Sequence, residues 1–344
     1  MLHYRNIFPG MVLCIVVSGL ATFLQALEHR LFGQTWLEAL VLAILVGLAV
    51  RAAWTPGHLW QSGIRFSAKT LLEVAVALLG AAVSVRTVLA LGPQLLAGIV
   101  GAVGLSIFAS YFICRTLRLP PRLSLLVACG NSICGNSAIA AVAPVIGADA
   151  ADVASSIAFT AVLGVVTVLL LPLLVPVLLL SLTQYGVLAG LTVYAVPQVL
   201  AATLPIGALA NQVGTVVKLV RVLMLGPVVA VLGLMAARQD RGMAGADSHP
   251  ARGLPPLKHL LPWFILAFLA LLGARSAGLV PAIALGPLKT TASLLTTVSM
   301  AALGLGVDVR SVAMAGPRVT AAVTLSLLVL VGISLVLIRV LRIA

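Results

Sequence analysis

From Phe8 to Val340 the chain is a succession of apolar runs, most of them of about 17 to 27 residues and so long enough to cross a hydrocarbon core of roughly 30 Å as a helix. No other feature restricts the fold so strongly. The runs are continuous and do not alternate at period two, as the strands of a membrane barrel would, so the fold class is an all-α membrane protein. Composition agrees, with 62% hydrophobic and 8% charged residues where a soluble domain carries about 25% charged.

Hydropathy predicts eleven spans, near Phe8–Ala26, Trp36–Val50, Thr70–Val85, Leu91–Ile113, Leu123–Val145, Ala154–Leu180, Gly186–Leu204, Val213–Met235, Leu260–Leu272, Thr290–Val307 and Val319–Val340. These form one polytopic domain over residues 1–344, and the polar stretch 238–258 reads as a cytoplasmic loop. The net charge of +13 sits singly or in short loops beside spans, which is topogenic charge and not a nucleic-acid surface. Arg115, Arg118 and Arg122 in one loop, and Arg238, Arg241, Arg252 and Lys258 in another, belong on the cytoplasmic side. The Asp149/Asp152 loop is then expected on the far side, the N-terminus in the cytoplasm and the C-terminus in the periplasm.

The run Cys129-Gly130-Asn131-Ser132-Ile133-Cys134-Gly135-Asn136-Ser137 places small polar residues and two glycines in the middle of the fifth span. Glycine favours unwinding, and the asparagines and serines supply donors and acceptors where water is scarce. A helix interrupted there exposes N–H groups and the positive end of a half-helix dipole, which suits an oxyanion. Close packing of small residues explains the glycines, serines and cysteines, but not two asparagines. Charge inside the spans adds to this. Lys218 and Arg221 share one helix face near the start of the eighth span and could form an electrostatic funnel for an anion. Glu73, one turn from Lys69, lies within the third span, and Asp308 lies at a helix end beside Arg310.

An internal repeat aligns Ala77–Pro93 with Ala301–Pro317, identical at nine of seventeen positions, including Val-x-Val-Arg and Gly-Pro. Seven spans separate the copies, which would make them antiparallel, as in transporters built from inverted repeats. The four cysteines and five histidines show no disulfide or zinc spacing. No phosphate-binding loop, His-Glu-x-x-His or Gly-x-Ser-x-Gly is present. No cofactor, metal or enzymatic activity is therefore expected.

Cys129–Ala141, the following Pro144 and Val216-Val217-Lys218-Leu219-Val220-Arg221 resemble the signature segments of the bacterial family of proposed sulfate exporters, which are polytopic inner-membrane proteins. The resemblance implies gradient-driven export of sulfate, sulfite or a small sulfonate. It also implies a fold similar to the bile-acid and sodium/proton antiporter architecture, with inverted five-helix repeats over about residues 36–180 and 186–340 and crossing discontinuous helices. On that pattern the tenth span partners the fifth, bringing Thr296, Thr297 and Ser299 to a site formed by Cys129, Gly130, Asn131, Ser132, Cys134, Gly135, Asn136 and Ser137. The internal repeat instead aligns the tenth span with the third. The chain departs from the family pattern at Asn131 and Asn136, where small residues are usual, and at Tyr194-Ala195, where a His-Asp pair is common; Gln198 is a further polar candidate. The expected partners are a small anion and the lipid bilayer, with a homodimer permitted by the small-residue faces. The competing readings are a cation/proton antiporter, which should carry a carboxylate at the crossing, and a membrane-embedded enzyme.

Overall fold

The computed structural model describes residues 7–32, 39–81, 92–242, 263–307 and 316–343, and every regular element among them is a helix. In chain order these are α1 (Phe8–Phe32), α2 (Ala39–Ala53), α3 (His58–Phe66), a π turn (Ser67–Leu71) leading into α4 (Leu72–Leu79), α5 (Gly92–Thr116), α6 (Pro121–Ser132) and α7 (Asn136–Ile146). There follow α8 (Ala150–Leu170), joined by a 3-10 turn to α9 (Leu174–Leu178), then α10 (Leu182–Thr192), α11 (Val196–Thr203), α12 (Ala208–Leu223), α13 (Leu225–Gly242), α14 (Trp263–Ser276), α15 (Ala282–Gly306) and α16 (Pro317–Val340). Among the described residues, six helical segments are long and apolar enough to cross a membrane: Phe8–Leu31, Gly92–Thr116, Ala151–Leu178, Ala208–Met235, Ile283–Gly306 and Pro317–Val340.

The helices sort into two packed groups. In the first, α15 packs on α2, α4 and α1, and α14 packs on α4. In the second, α5, α6 and α16 pack together, as do α10, α11 and α12. Val76 of α4 and Phe268 and Leu272 of α14 meet Val196 of α11 and Val216 and Leu219 of α12 in a buried cluster that joins the groups.

Helix α16 fixes the two ends of the molecule. Gly316–Val319 at its start line a cavity with Leu117–Pro120 and Leu123, at the α5–α6 corner. Its last turn lies over Gly98 near the start of α5, through Leu337 and Leu341. The carbonyl of Ile343, just beyond it, accepts a hydrogen bond of 2.7 Å from Gln184 Nε2, at the start of α10. Helices α6 and α10 therefore enter the bundle from opposite ends.

Both turn back before crossing. A Cβ on Gly207, beyond the end of α11, would lie 3.3 Å from the side chain of Leu182 at the start of α10, and Tyr185 Oη donates to the Ala202 carbonyl at 2.8 Å. On the other side, Arg122 at the start of α6 lies within electrostatic reach of Asp152 in the first turn of α8. Helix α7 therefore returns to the end from which α6 came, and there it packs on α13. Lengths agree: α6 with 12 residues, α7 and α10 with 11 each and α11 with 8 reach about 12 to 18 Å at 1.5 Å per residue, roughly half a hydrocarbon core.

This corrects the sequence reading in three places. The fifth and seventh apolar runs are re-entrant hairpins and not spans, because each is broken near its midpoint and reverses. The Asp149/Asp152 corner lies at the same end as Arg122, not the far side. Helical structure also continues through Arg238 to Gly242, into the stretch expected as loop. The repeated segments contribute the end of α4 and the first two residues of α5, and the end of α15 and the start of α16. Gly92-Pro93 and Gly316-Pro317 open their helices alike, each glycine at positive φ (71° and 87°). Most of the two Val-x-Val-Arg elements, with Asp308, lies outside the described residues.

Thiol labelling checks the hairpin topology, since all four native cysteines are buried. A membrane-impermeant reagent applied to one face should label Arg118→Cys and Asp149→Cys together, and Thr183→Cys and Pro205→Cys only from the other face. Eleven simple spans would instead group 118 with 183 and 149 with 205.

Candidate functional site

The two hairpins meet tip to tip. The first tip is Ile133-Cys134-Gly135, where Gly135 adopts φ 64° and ψ −126°, a conformation open to glycine and costly for any residue with a Cβ. Space is tight as well, because a Cβ on Gly135 would lie 3.2 Å from Cβ of Tyr194. Tyr194 is the centre of the second tip, Val193-Tyr194-Ala195, and its hydroxyl donates to Asn131 Oδ1 at 2.7 Å. This tip exists because Pro197 sits in the first turn of α11, and Gln198 accepts the Ala195 N–H at 3.2 Å through its side-chain oxygen.

Helix α12 carries two basic side chains to the junction. It runs parallel to α10 at very close range: a Cβ on Gly186 would meet the Ala210 carbonyl at 2.7 Å, and one on Gly190 the Gly214 carbonyl at 2.6 Å. That register sets Lys218 beside Val193. Lys218 Nζ donates to the carbonyls of Ile133 (2.7 Å) and Val193 (2.8 Å), one from each hairpin. Arg221 donates from Nε to Ser132 O (2.5 Å), from Nη1 to Val193 O (3.2 Å) and from Nη2 to Asn131 O. Both side chains are fully buried. These acceptors are all backbone carbonyls at the C-terminal end of α6 or α10, where the helix dipole leaves about half a negative charge.

The carbonyl side of the tips is thus closed, while donors stay open. Five buried side-chain polar atoms among the described residues lack a hydrogen-bond partner, and Asn131 Nδ2 and Ser132 Oγ are two of them. The amides of Ala138 and Ile139 both bond to Gly135 O at 3.1 Å, so the N–H groups of Asn136 and Ser137 precede the intrahelical ladder of α7 and point along its positive end. The side chains of Asn136 and Ser137 are exposed, and Asn136 Oδ1 accepts from Thr160 of α8. The guanidinium keeps its charge in any protein setting. The centre can therefore offer positive potential and unpaired donors to an anion. Ser132 Oγ has no base bonded to it, and among the described residues no three His, Cys, Asp or Glu side chains could hold a metal.

Several candidates from the sequence come together here: Cys129, Gly130, Asn131, Ser132, Cys134, Gly135, Asn136, Ser137, Gln198, Lys218 and Arg221. Gln198 packs against Gly164 of α8, whose Cβ position would lie 2.5 Å from Nε2. Lys218 and Arg221 are not an interfacial funnel, because the parallel α10–α12 contact draws them into the interior. Hydrogen bonding does not tie Thr296, Thr297 and Ser299 to the tips. They lie on the unbroken α15, and their hydroxyls bond to the carbonyls of Ala292 (2.6 Å), Ser293 (3.0 Å) and Leu295 (2.7 Å) of the same helix. The partner of the fifth run is the seventh, two runs on, and not the tenth. Glu73 accepts from Trp263 Nε1 at 2.7 Å and ties α4 to α14, away from the tips. Sequence reasoning missed Tyr194 and Thr160 as site residues; the signal for Tyr194 was Pro197, which marks a helix start inside an apparent span.

Residues 9–323 match the family described as Conserved hypothetical protein 698. The chain belongs to this family. A UPF0324 membrane protein of Bradyrhizobium diazoefficiens is 56% identical over 333 residues, covering 97% of this chain and 93% of its own length. A UPF0324 membrane protein of Brucella suis is 56% identical over 340 residues, covering 99% and 98%. The similarity extends to one of Bacillus cereus, 33% identical over 303 residues and covering 88% and 82%. No solved structure matches. Family membership and the apolar helices agree on a multi-pass membrane protein.

Tyr194→Phe should remove the hydroxyl that donates to Asn131 Oδ1 and leave that buried oxygen without this partner. The expected cost is about 1–3 kcal/mol, read as a melting temperature lowered by several degrees in detergent. Gly135→Ala should cost at least as much, through backbone strain and the Tyr194 contact.

Proposed function

We propose that this protein is a secondary active transporter that exports a small oxyanion, sulfate or a related sulfur oxyanion such as sulfite or a small sulfonate, across the bacterial inner membrane. One observation carries the reading: a buried pair of basic side chains that bond only to backbone carbonyls, beside the unpartnered Asn131 Nδ2 and Ser132 Oγ. Donors left free in a water-poor interior favour a ligand made of acceptors, and a tetrahedral or pyramidal oxyanion supplies them.

The hairpins support alternating access. Each enters from its own end, so access from either side ends at the same tips, as in carriers whose site lies at the midplane between related halves. The positive-inside rule puts the Arg115, Arg118, Arg122, Arg238 and Arg241 end in the cytoplasm, with the N-terminus inside and the C-terminus in the periplasm. A cation/proton antiporter ranks lower, because neither Cys129–Ser137 nor Val193–Ala195 contains a carboxylate.

Flux of radiolabelled sulfate and sulfite into proteoliposomes tests the proposal. Wild type should transport at least one, and Asn131→Leu and Asn136→Leu should each cut the rate by about tenfold or more, the loss expected when about 1.4 kcal/mol of interaction is removed. Thr297→Val, on α15, should leave flux unchanged. Absence of flux with every sulfur oxyanion, or equal flux in wild type and both asparagine variants, would sink the proposal.

A further inference from the structure

We infer that Lys218 and Arg221 occupy the place that bound cations take in ion-coupled carriers, so that the protein works without sodium and gains a monovalent-cation site when Lys218 is shortened. In discontinuous-helix transporters, unwound carbonyls and half-helix C-terminal ends coordinate the coupling ion. Those groups are present here, and protein side chains hold them. The carbonyls of Ile133 and Val193 come from different hairpins yet converge on the single point Nζ of Lys218, at 2.7 and 2.8 Å. The neighbouring carbonyls of Asn131 and Ser132 converge in the same way on Arg221. Two strands of unwound backbone aimed at one positive centre form a cation cradle, and α12 fills it permanently.

A bound ion can leave its site, but a side chain cannot. The lysine and arginine therefore tie both tips to α12 in every state, and the hairpins and α12 should move as one body against the group formed by α1–α4, α14 and α15. The driving gradient would then act on the transported anion or on a counter-substrate, not on a sodium ion at the tips. The coupling consequence rests on the transporter reading, whereas the cradle itself does not.

Shortening Lys218 to Ala takes from the Ile133 carbonyl the ammonium that donates to it and leaves a space the size of the lost side chain. Sodium or lithium entering that space restores the original charge next to Arg221. The purified full-length protein should melt at the same temperature in sodium, potassium and choline chloride at equal ionic strength. Lys218→Ala should melt lower in choline and recover by about 3–5 °C or more in sodium or lithium. Lys218→Gln, whose amide keeps an N–H for one carbonyl, should show a smaller recovery. Folding of Lys218→Ala only when sodium is present would support the inference equally. Selective stabilisation of the wild type by sodium would overturn it, as would an alanine variant indifferent to the cation, or failure of Lys218→Ala and Lys218→Ser to fold with sodium or without. Anion flux separates the two proposals: a cation shift in Lys218→Ala with no wild-type flux leaves only the cradle, and sodium-independent flux with no shift leaves only the transporter.

Discussion

The contact between two basic side chains of α12 and the carbonyl ends of α6 and α10 governs the rest of this molecule. A helix that stops inside a membrane leaves its last carbonyls without donors, and each costs several kcal/mol in a water-free medium. Two such ends face each other here. Lys218 and Arg221 answer both with five hydrogen bonds, and in the same act find partners for two basic groups that would be expensive to bury alone. Neither the breaks nor the basic residues would be tolerable without the other.

Other features follow from holding that contact in place. The parallel approach of α10 and α12 at Gly186 and Gly190 sets the register that brings Lys218 level with Val193. The capping box at Ser181 and Gln184, and the bond from Gln184 to the Ile343 carbonyl, anchor the entry of the second hairpin to the end of α16. Gly135 lets the tips touch, and Tyr194 locks them through Asn131. With the acceptors consumed, what remains at the junction is donor-rich, and the proposed function rests on this asymmetry.

The legibility of the sequence was uneven in a way that physics explains. The membrane setting, the helical class and the break around Gly130–Gly135 follow from apolar length and from residues that destabilise a helix, all local properties. The seventh run looked like a span because Val193–Ala195 is apolar enough to continue one; only Pro197 and the Pro205–Gly207 corner hinted at the reversal. The eleven-span count failed there because hydropathy measures burial and cannot tell a crossing from a hairpin that reaches the midplane and returns. Thr296, Thr297 and Ser299 looked like site residues as polar side chains in an apolar helix, yet each hydroxyl satisfies itself on its own preceding turn.

What the sequence determined by itself was that this chain lives in a bilayer as helices, with a polar interruption at Cys129–Ser137, because those outcomes depend on side-chain polarity and backbone freedom within a few residues. What only the tertiary structure decided was the partner of that interruption, the depth of Lys218 and Arg221, and which donors stay unpaired. Those depend on how far apart in space residues 133, 193 and 218 lie, and a chain's order says nothing of that distance until its helices have packed.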